Sequence, residues 1–151
     1  MKRLLVFCTI ILLLAGCGGS PSYEPRDINP EIDVCVICNM SVAAIDHATE
    51  VIVKNGDVYT FDDIGCMLEF IVEREQNEND IMKSYVTDFV TGEWVDFQSA
   101  HFTYDKRFWT PMAFGVIAFA NEEDAVAYIT EQGYGAVIDY NTLLASDWIV
   151  E

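Results

Sequence analysis

Asn55-Gly56, set between Val51-Ile52-Val53 and Val58-Tyr59-Thr60-Phe61, restricts the fold more than any other feature of the chain. Asn-Gly supplies the left-handed backbone of a tight hairpin turn, and the β-branched and aromatic residues on either side supply the paired strands. Directly after the second strand, Asp62 reads as an N-cap and Asp63 as a second acid in the first helical turn. Ile64, Met67, Leu68, Ile71 and Val72 follow at helical spacing, with Glu69, Glu73, Arg74 and Glu75 on the solvated side. The spacing predicts a helix from Ile64 to about Glu78, completing a ββα unit.

Beyond it, Ser84–Val90 reads as a strand, Thr91-Gly92-Glu93 as a turn, and Trp94–Phe97, His101–Tyr104 and Ala113–Ala120 as further strands. Asn121 caps a helix over Glu122–Gln132, which Gly133 and Gly135 end. Ala136–Tyr140 reads as a short strand, and Thr142–Trp148 adds a turn of helix. The same element order occurs twice around a linking strand. The expectation is an α+β fold of two ββαβ-like lobes with mainly antiparallel strands, packed into one compact body over 34–151, with halves near 34–90 and 91–151.

The N-terminus reads as an address. Met1-Lys2-Arg3 is basic and Leu4–Leu14 is almost wholly apolar, too short for the roughly twenty residues of a spanning helix but typical of a secretory signal. Leu14-Ala15-Gly16-Cys17 resembles the lipobox of bacterial lipoproteins, which implies cleavage of residues 1–16 and lipidation of Cys17. Residues 17–33 then form the lipidated cysteine and a flexible tether, Gly18–Ser22 leading into the extended, proline-containing Tyr23–Asp33. The expected location is the extracytoplasmic face of the cell membrane, held by the N-terminal lipid.

With 25 Asp+Glu against 8 Lys+Arg, a formal charge of −17, the chain lacks the basic face that nucleic acid or anionic lipid would require. A hydrophobic content of 52% excludes a disordered acidic tail.

Of the five cysteines, Cys8 leaves with the signal and Cys17 is consumed by the anchor. Cys35, Cys38 and Cys66 remain, an odd set that cannot close a disulfide framework. Cys35-x-x-Cys38 is by itself compatible with zinc, iron–sulfur, a redox disulfide or copper. Met40 shifts the balance, because a thioether is a poor ligand for zinc and a good one for Cu(I). Cys66-Met67 forms a second cluster near the helix start, where Cys66 divides between ligand and buried thiol and Met67 reads as core. His47 is close enough in sequence to reach the same ion, whereas His101, among Phe102, Tyr104 and Trp109, reads as packing or surface rather than ligand. The candidate metal ligands are therefore Cys35, Cys38, Met40 and Cys66. No Gly-x-Ser-x-Gly elbow, phosphate-cradling loop or dinucleotide fingerprint is present, so no motif other than the thiols supports an enzyme. Two alternatives to copper binding stay open: a thiol–disulfide oxidoreductase using Cys35 and Cys38, and a Zn-stabilised structural domain.

The lipobox, Cys35-x-x-Cys38-x-Met40 ahead of a hairpin, and Phe61-Asp62-Asp63-Ile64-Gly65-Cys66-Met67 together resemble the NosL family, membrane-anchored copper chaperones that supply the copper centres of nitrous oxide reductase. The resemblance covers about Cys35 to Tyr140. It implies a pair of ββαβ lobes, Cu(I) bound through Cys38 and Met40 with Cys35 as an additional thiol, and passage of copper to an ABC-type maturation complex and through it to the reductase. The family usually has Gly between the second Cys and Met. Asn39 stands there in this chain, and Asn also tolerates the left-handed region.

Overall fold

The computed structural model describes residues 22–77 and 80–145. The expected signal peptide and the expected lipid attachment at Cys17 lie outside them, as does the end of the Thr142–Trp148 segment. A 3₁₀ turn, Ile45–His47, leads into β1 (Thr49–Val53), β2 (Val58–Phe61), α1 (Ile64–Asn77) and β3 (Ile81–Thr87). There follow β4 (Trp94–Asp96), β5 (His101–Tyr104), β6 (Val116–Phe119), α2 (Glu122–Gln132), β7 (Ala136–Ile138) and α3 (Tyr140–Leu144).

Two antiparallel sheets carry the fold, one in the order β2-β1-β3-β4 and the other β6-β5-β7. In each, the first strand of the unit lies at the centre. Its hairpin partner pairs on one side and the strand returning from the helix on the other, so both lobes repeat one ββαβ topology. The expected α+β class and paired lobes are what the chain adopts. β4 joins the first sheet through Tyr85↔Asp96 to Thr87↔Trp94, so the first lobe extends beyond residue 90.

Alternation of side chains explains where the layers meet. Val51 and Val53 of β1, Val86 of β3, and Val116 and Ala118 of β6 face one shared core with Ile64, Met67, Leu68 and Ile71 of α1. Ile117 and Phe119, pointing the other way from β6, pack with Phe108 and Ala125 beneath α2. Both faces of β6 are covered, which is why it reads as an unbroken apolar run. Val72, expected on the buried side of α1, is instead 43% exposed. Arg74 is drawn from the solvated face over the Tyr59 and Phe70 rings and pairs with Asp80 at 2.7 Å.

The outer face of β1 is covered by the lead-in. Tyr23 Oη donates to the Lys54 carbonyl (3.0 Å), Tyr85 Oη to the Tyr23 carbonyl (3.0 Å), and Trp94 Nε1 to the Arg26 carbonyl (3.1 Å). The Arg26 guanidinium grips Asp33 through two bonds of 2.8 and 2.6 Å. The stretch expected to be a tether is thus tied to the sheet from Tyr23 onward, because its aromatic and charged side chains find partners there.

Other boundaries moved for identifiable reasons. β3 starts and stops three residues before the expected Ser84–Val90: Asp88 closes a turn, accepting from Thr91 N (3.0 Å) and Thr91 Oγ1 (2.6 Å). The expected strand over Ala113–Ala120 shortens because Ala113 and Gly115 take positive φ, 61° and 70°. Asp139, read as part of a strand, caps α3 by accepting from Thr142 N at 2.7 Å. Among the described residues no helix is long and apolar enough to cross a membrane.

Candidate metal centre

The segment after the lead-in folds into a tight turn. Val34 and Ser41 pair antiparallel, Cys35 N donates to the Met40 carbonyl (2.8 Å), and Asn39 N to the Cys35 carbonyl (2.9 Å). Asn39 has φ 61°, the left-handed backbone that Asn tolerates better than most residues, and this lets the turn close. The turn docks against β2 through Val36 N to the Thr60 carbonyl (3.2 Å) and Thr60 Oγ1 to the Val34 carbonyl (3.2 Å).

This docking sets the turn beside the start of α1. The cap there is Asp63, not Asp62 as the sequence suggested: Asp63 Oδ1 accepts from Gly65 N (3.1 Å), and its carbonyl accepts from Met67 N (3.2 Å). Its other oxygen reaches across to the second lobe and accepts from Thr110 Oγ1 (2.7 Å) and Met112 N (2.9 Å). Burial pushes the Asp63 carboxyl above the usual range despite these donors. Gly65 leaves room for the Phe114 ring, which any Cβ there would strike.

With Asp63 occupied as the cap, Asp62 turns toward the thiols. Cys35, Cys38, Asp62 and Cys66 bring one potential ligand atom each to within 4.8 Å of one another. Cys35 is 0%, Cys66 1% and Asp62 1% exposed, while Cys38 is half-buried at the mouth. All three thiols are free. Cys38 Sγ lies 3.3 and 3.4 Å from the two Asp62 oxygens, to which it donates.

The three sulfurs are not equivalent. The Cys66 S–H donates to Cys35, and the backbone N–H groups of Cys38, Asp62 and Ile37 also point at the Cys35 sulfur. Together they hold the Cys35 thiol down to about 6 against the effect of burial. The hydrogen bond to Cys35 and then burial raise the Cys66 thiol. Burial, reinforced by Cys35 and Asp62, pushes Cys38 up to about 12.

Of the residues singled out from sequence, Cys35, Cys38 and Cys66 converge. Met40 sits on the same turn as Cys35 and Cys38 and is 51% exposed. Met67 is a core residue at 0% exposure. His47 is not part of the cluster: its ring packs against Phe89 (5.7 Å) and Trp109 (5.4 Å), and burial lowers its basicity. His101 lies on β5 opposite Phe119. Asp62 was missed as a cluster member. The available signal was the Asp62-Asp63 doublet itself, since one helix end uses a single capping carboxylate and leaves the other to different work.

The NosL family model matches residues 25–146. No curated protein matches the chain. The fold is similar to the crystal structure of the copper chaperone NosL from Shewanella denitrificans, with a TM-score of 0.69 and 18% identity over 80% of this chain and 96% of that one.

Proposed function

The chain belongs to the NosL family, and from that premise we propose that it is a lipid-anchored extracytoplasmic Cu(I) chaperone. It carries copper for assembly of the nitrous oxide reductase copper centres and hands it to an ABC-type maturation complex at the membrane. The observation that carries the reading is the convergence of Cys35, Cys38 and Cys66, with Met40 exposed on the same turn as the first two. Soft sulfur donors suit Cu(I). In this reading Cys38 and Met40 hold the ion at the mouth, with Cys35 and Cys66 as the thiols beneath. An acceptor's thioether or imidazole can replace Met40 without the ion passing through water. Cys17 supplies the membrane attachment, which keeps donor and acceptor on one surface.

The oxidoreductase alternative is disfavoured by the same geometry. An attacking thiol must be both acidified and reachable. Cys35 is acidified but 0% exposed, and Cys38, the reachable one, is pushed up to about 12.

Delivery is tested in the host lacking this chain. Nitrous oxide reductase is expected to accumulate copper-deficient, with restoration by the parent and none by Cys38→Ser. Full copper content in the absence of the chain would overturn the delivery role.

A further inference from the structure

The lead-in from Tyr23 to Ile28 lies along the outer face of the first sheet, tied there by the hydrogen bonds of Tyr23, Tyr85, Trp94 and Arg26. Among the described residues, none of 23–33 belongs to either apolar core. Beneath it, Glu50 of β1 stands between Thr60 of β2 and Tyr85 of β3 and is fully buried. Its Oε2 accepts from Arg26 N at 3.1 Å. Its Oε1 is buried with no hydrogen-bond partner, Arg26 Nε standing off at 3.9 Å. An ionised carboxylate there lacks the donors that would offset its loss of water.

We propose that Tyr23–Ile28 is a latch, hinged at the Asn29–Asp33 turn, whose release lets the domain reach further from its membrane anchor. The hinge is a closed turn: Ile32 N and Asp33 N both donate to the Asn29 carbonyl (3.0 and 2.8 Å), and Asn29 N donates to Asp33 Oδ2 at 2.7 Å. Glu50 sets the balance between latched and released. Under the latch, burial holds its carboxyl up at about 7 against the pull of Arg26, with Asp33 of the turn and Asp27 of the latch adding to the effect. Tyr85, beside it on β3, is pushed up by burial and stays neutral, while Arg26 holds the Asp33 carboxyl down and ionised. Released, Glu50 meets water and ionises at about 4.5. The latched state therefore binds the proton more tightly, so closure is strongest below about pH 4.5 and weakens as the pH rises through about 7. Tyr23 is six residues from Cys17, a span of about 20 Å at most, and Asn29 is twelve, about 40 Å. Release thus doubles the reach of the metal turn, which begins just past the hinge. The change of reach rests on the lipid anchor at Cys17, and the latch itself does not.

The test is hydrogen exchange of the full chain in phosphatidylcholine vesicles, read by mass spectrometry, with protection over 23–28 taken relative to the intrinsic amide rates at each pH. Parent protection is expected to fall at least about tenfold from about pH 5 to about pH 8, while that over β1 and β3 holds. In Glu50→Gln, neutral throughout, protection over 23–28 should stay level across the range. Should that variant not fold, Trp94→Phe deletes the bond to the Arg26 carbonyl and should lower protection by a similar factor at every pH, keeping the parent's slope. Parent protection that is flat, or that rises with pH as Arg26 closes on an ionised Glu50, overturns the proposal. Neutron reflectometry on a supported phosphatidylcholine bilayer should place the protein layer further out at the higher pH in the parent alone, and an unchanged layer overturns the change of reach. A mature chain whose mass shows no lipid on Cys17 would remove the anchor reading and leave the pH dependence of the latch standing.

Discussion

Single side chains decide whether the metal turn exists. Asn39 holds φ 61° between Cys38 and Met40, where a β-branched residue would meet its own carbonyl. Asn39→Val is expected to cost about 1–2 kcal/mol of stability by denaturant unfolding. Asn39→Gly should leave stability at or above the parent's, and equal stabilities for the two variants would contradict the left-handed assignment. Glu50 tests a second residue-scale idea. It is 0% exposed, bonded to Arg26 N at 3.1 Å, and burial raises its carboxyl from 4.5 to about 7. Because the folded state binds this proton more tightly, its contribution to stability is fully present below about pH 4.5 and lost as the pH rises through about 7. Glu50→Gln, neutral throughout, should therefore gain in melting temperature relative to the parent across that window. Parallel pH profiles would show that Glu50 does not titrate as described. At this scale the thiols were readable from sequence because cysteine chemistry is local and their number was odd. Asp62 was not, since the choice of which acid caps α1 depends on Thr110 and Met112, nearly fifty positions away.

Among the elements, α1 joins sequence and site. Its cap, Asp63, fixes the first turn that carries Cys66 and ties the second lobe to the first. Asp63→Ala removes the cap, worth about 0.5–2 kcal/mol, and strands the buried Thr110 hydroxyl and Met112 N–H at about 1–3 kcal/mol more. Thermal or denaturant unfolding should show a loss well beyond that of a cap alone. A loss confined to the capping range would mean that the link between lobes is energetically idle. The elements whose ends are marked by local chemistry were legible: β2 by the Asn55-Gly56 turn, α2 by Asn121 accepting from Asp124 N at 3.0 Å and by Gly133 at φ 75°. β3 was misplaced because its register comes from pairing with β1, Ile81 against Val53, across a helix and a bulge. The apolar pattern of the strand continues past the point where Asp88 turns the chain.

For the whole molecule, the repeated ββαβ topology and the alternation of core faces explain how a chain of 151 residues builds two sheets that share one interior. The pattern was visible in the order of elements, but the way β4 extends the first sheet and the lead-in covers it depended on contacts far apart in sequence, such as Trp94 to Arg26. A formal charge of −17 gives the molecule a long-range field that favours a partner with a basic docking face. Copper transfer to such a partner should slow as ionic strength rises and the Debye length shrinks, and a rate insensitive to salt would contradict electrostatic steering. The central claim is that Cu(I) is held by sulfur at the Cys38–Met40 turn, and an anaerobic Cu(I) titration against a competing chelator tests it most directly. The account predicts stoichiometric binding by the parent, weakened at least about tenfold in Cys38→Ser and measurably in Met40→Leu. A reduced parent that cannot compete with the chelator, or variants that bind as the parent does, would contradict it.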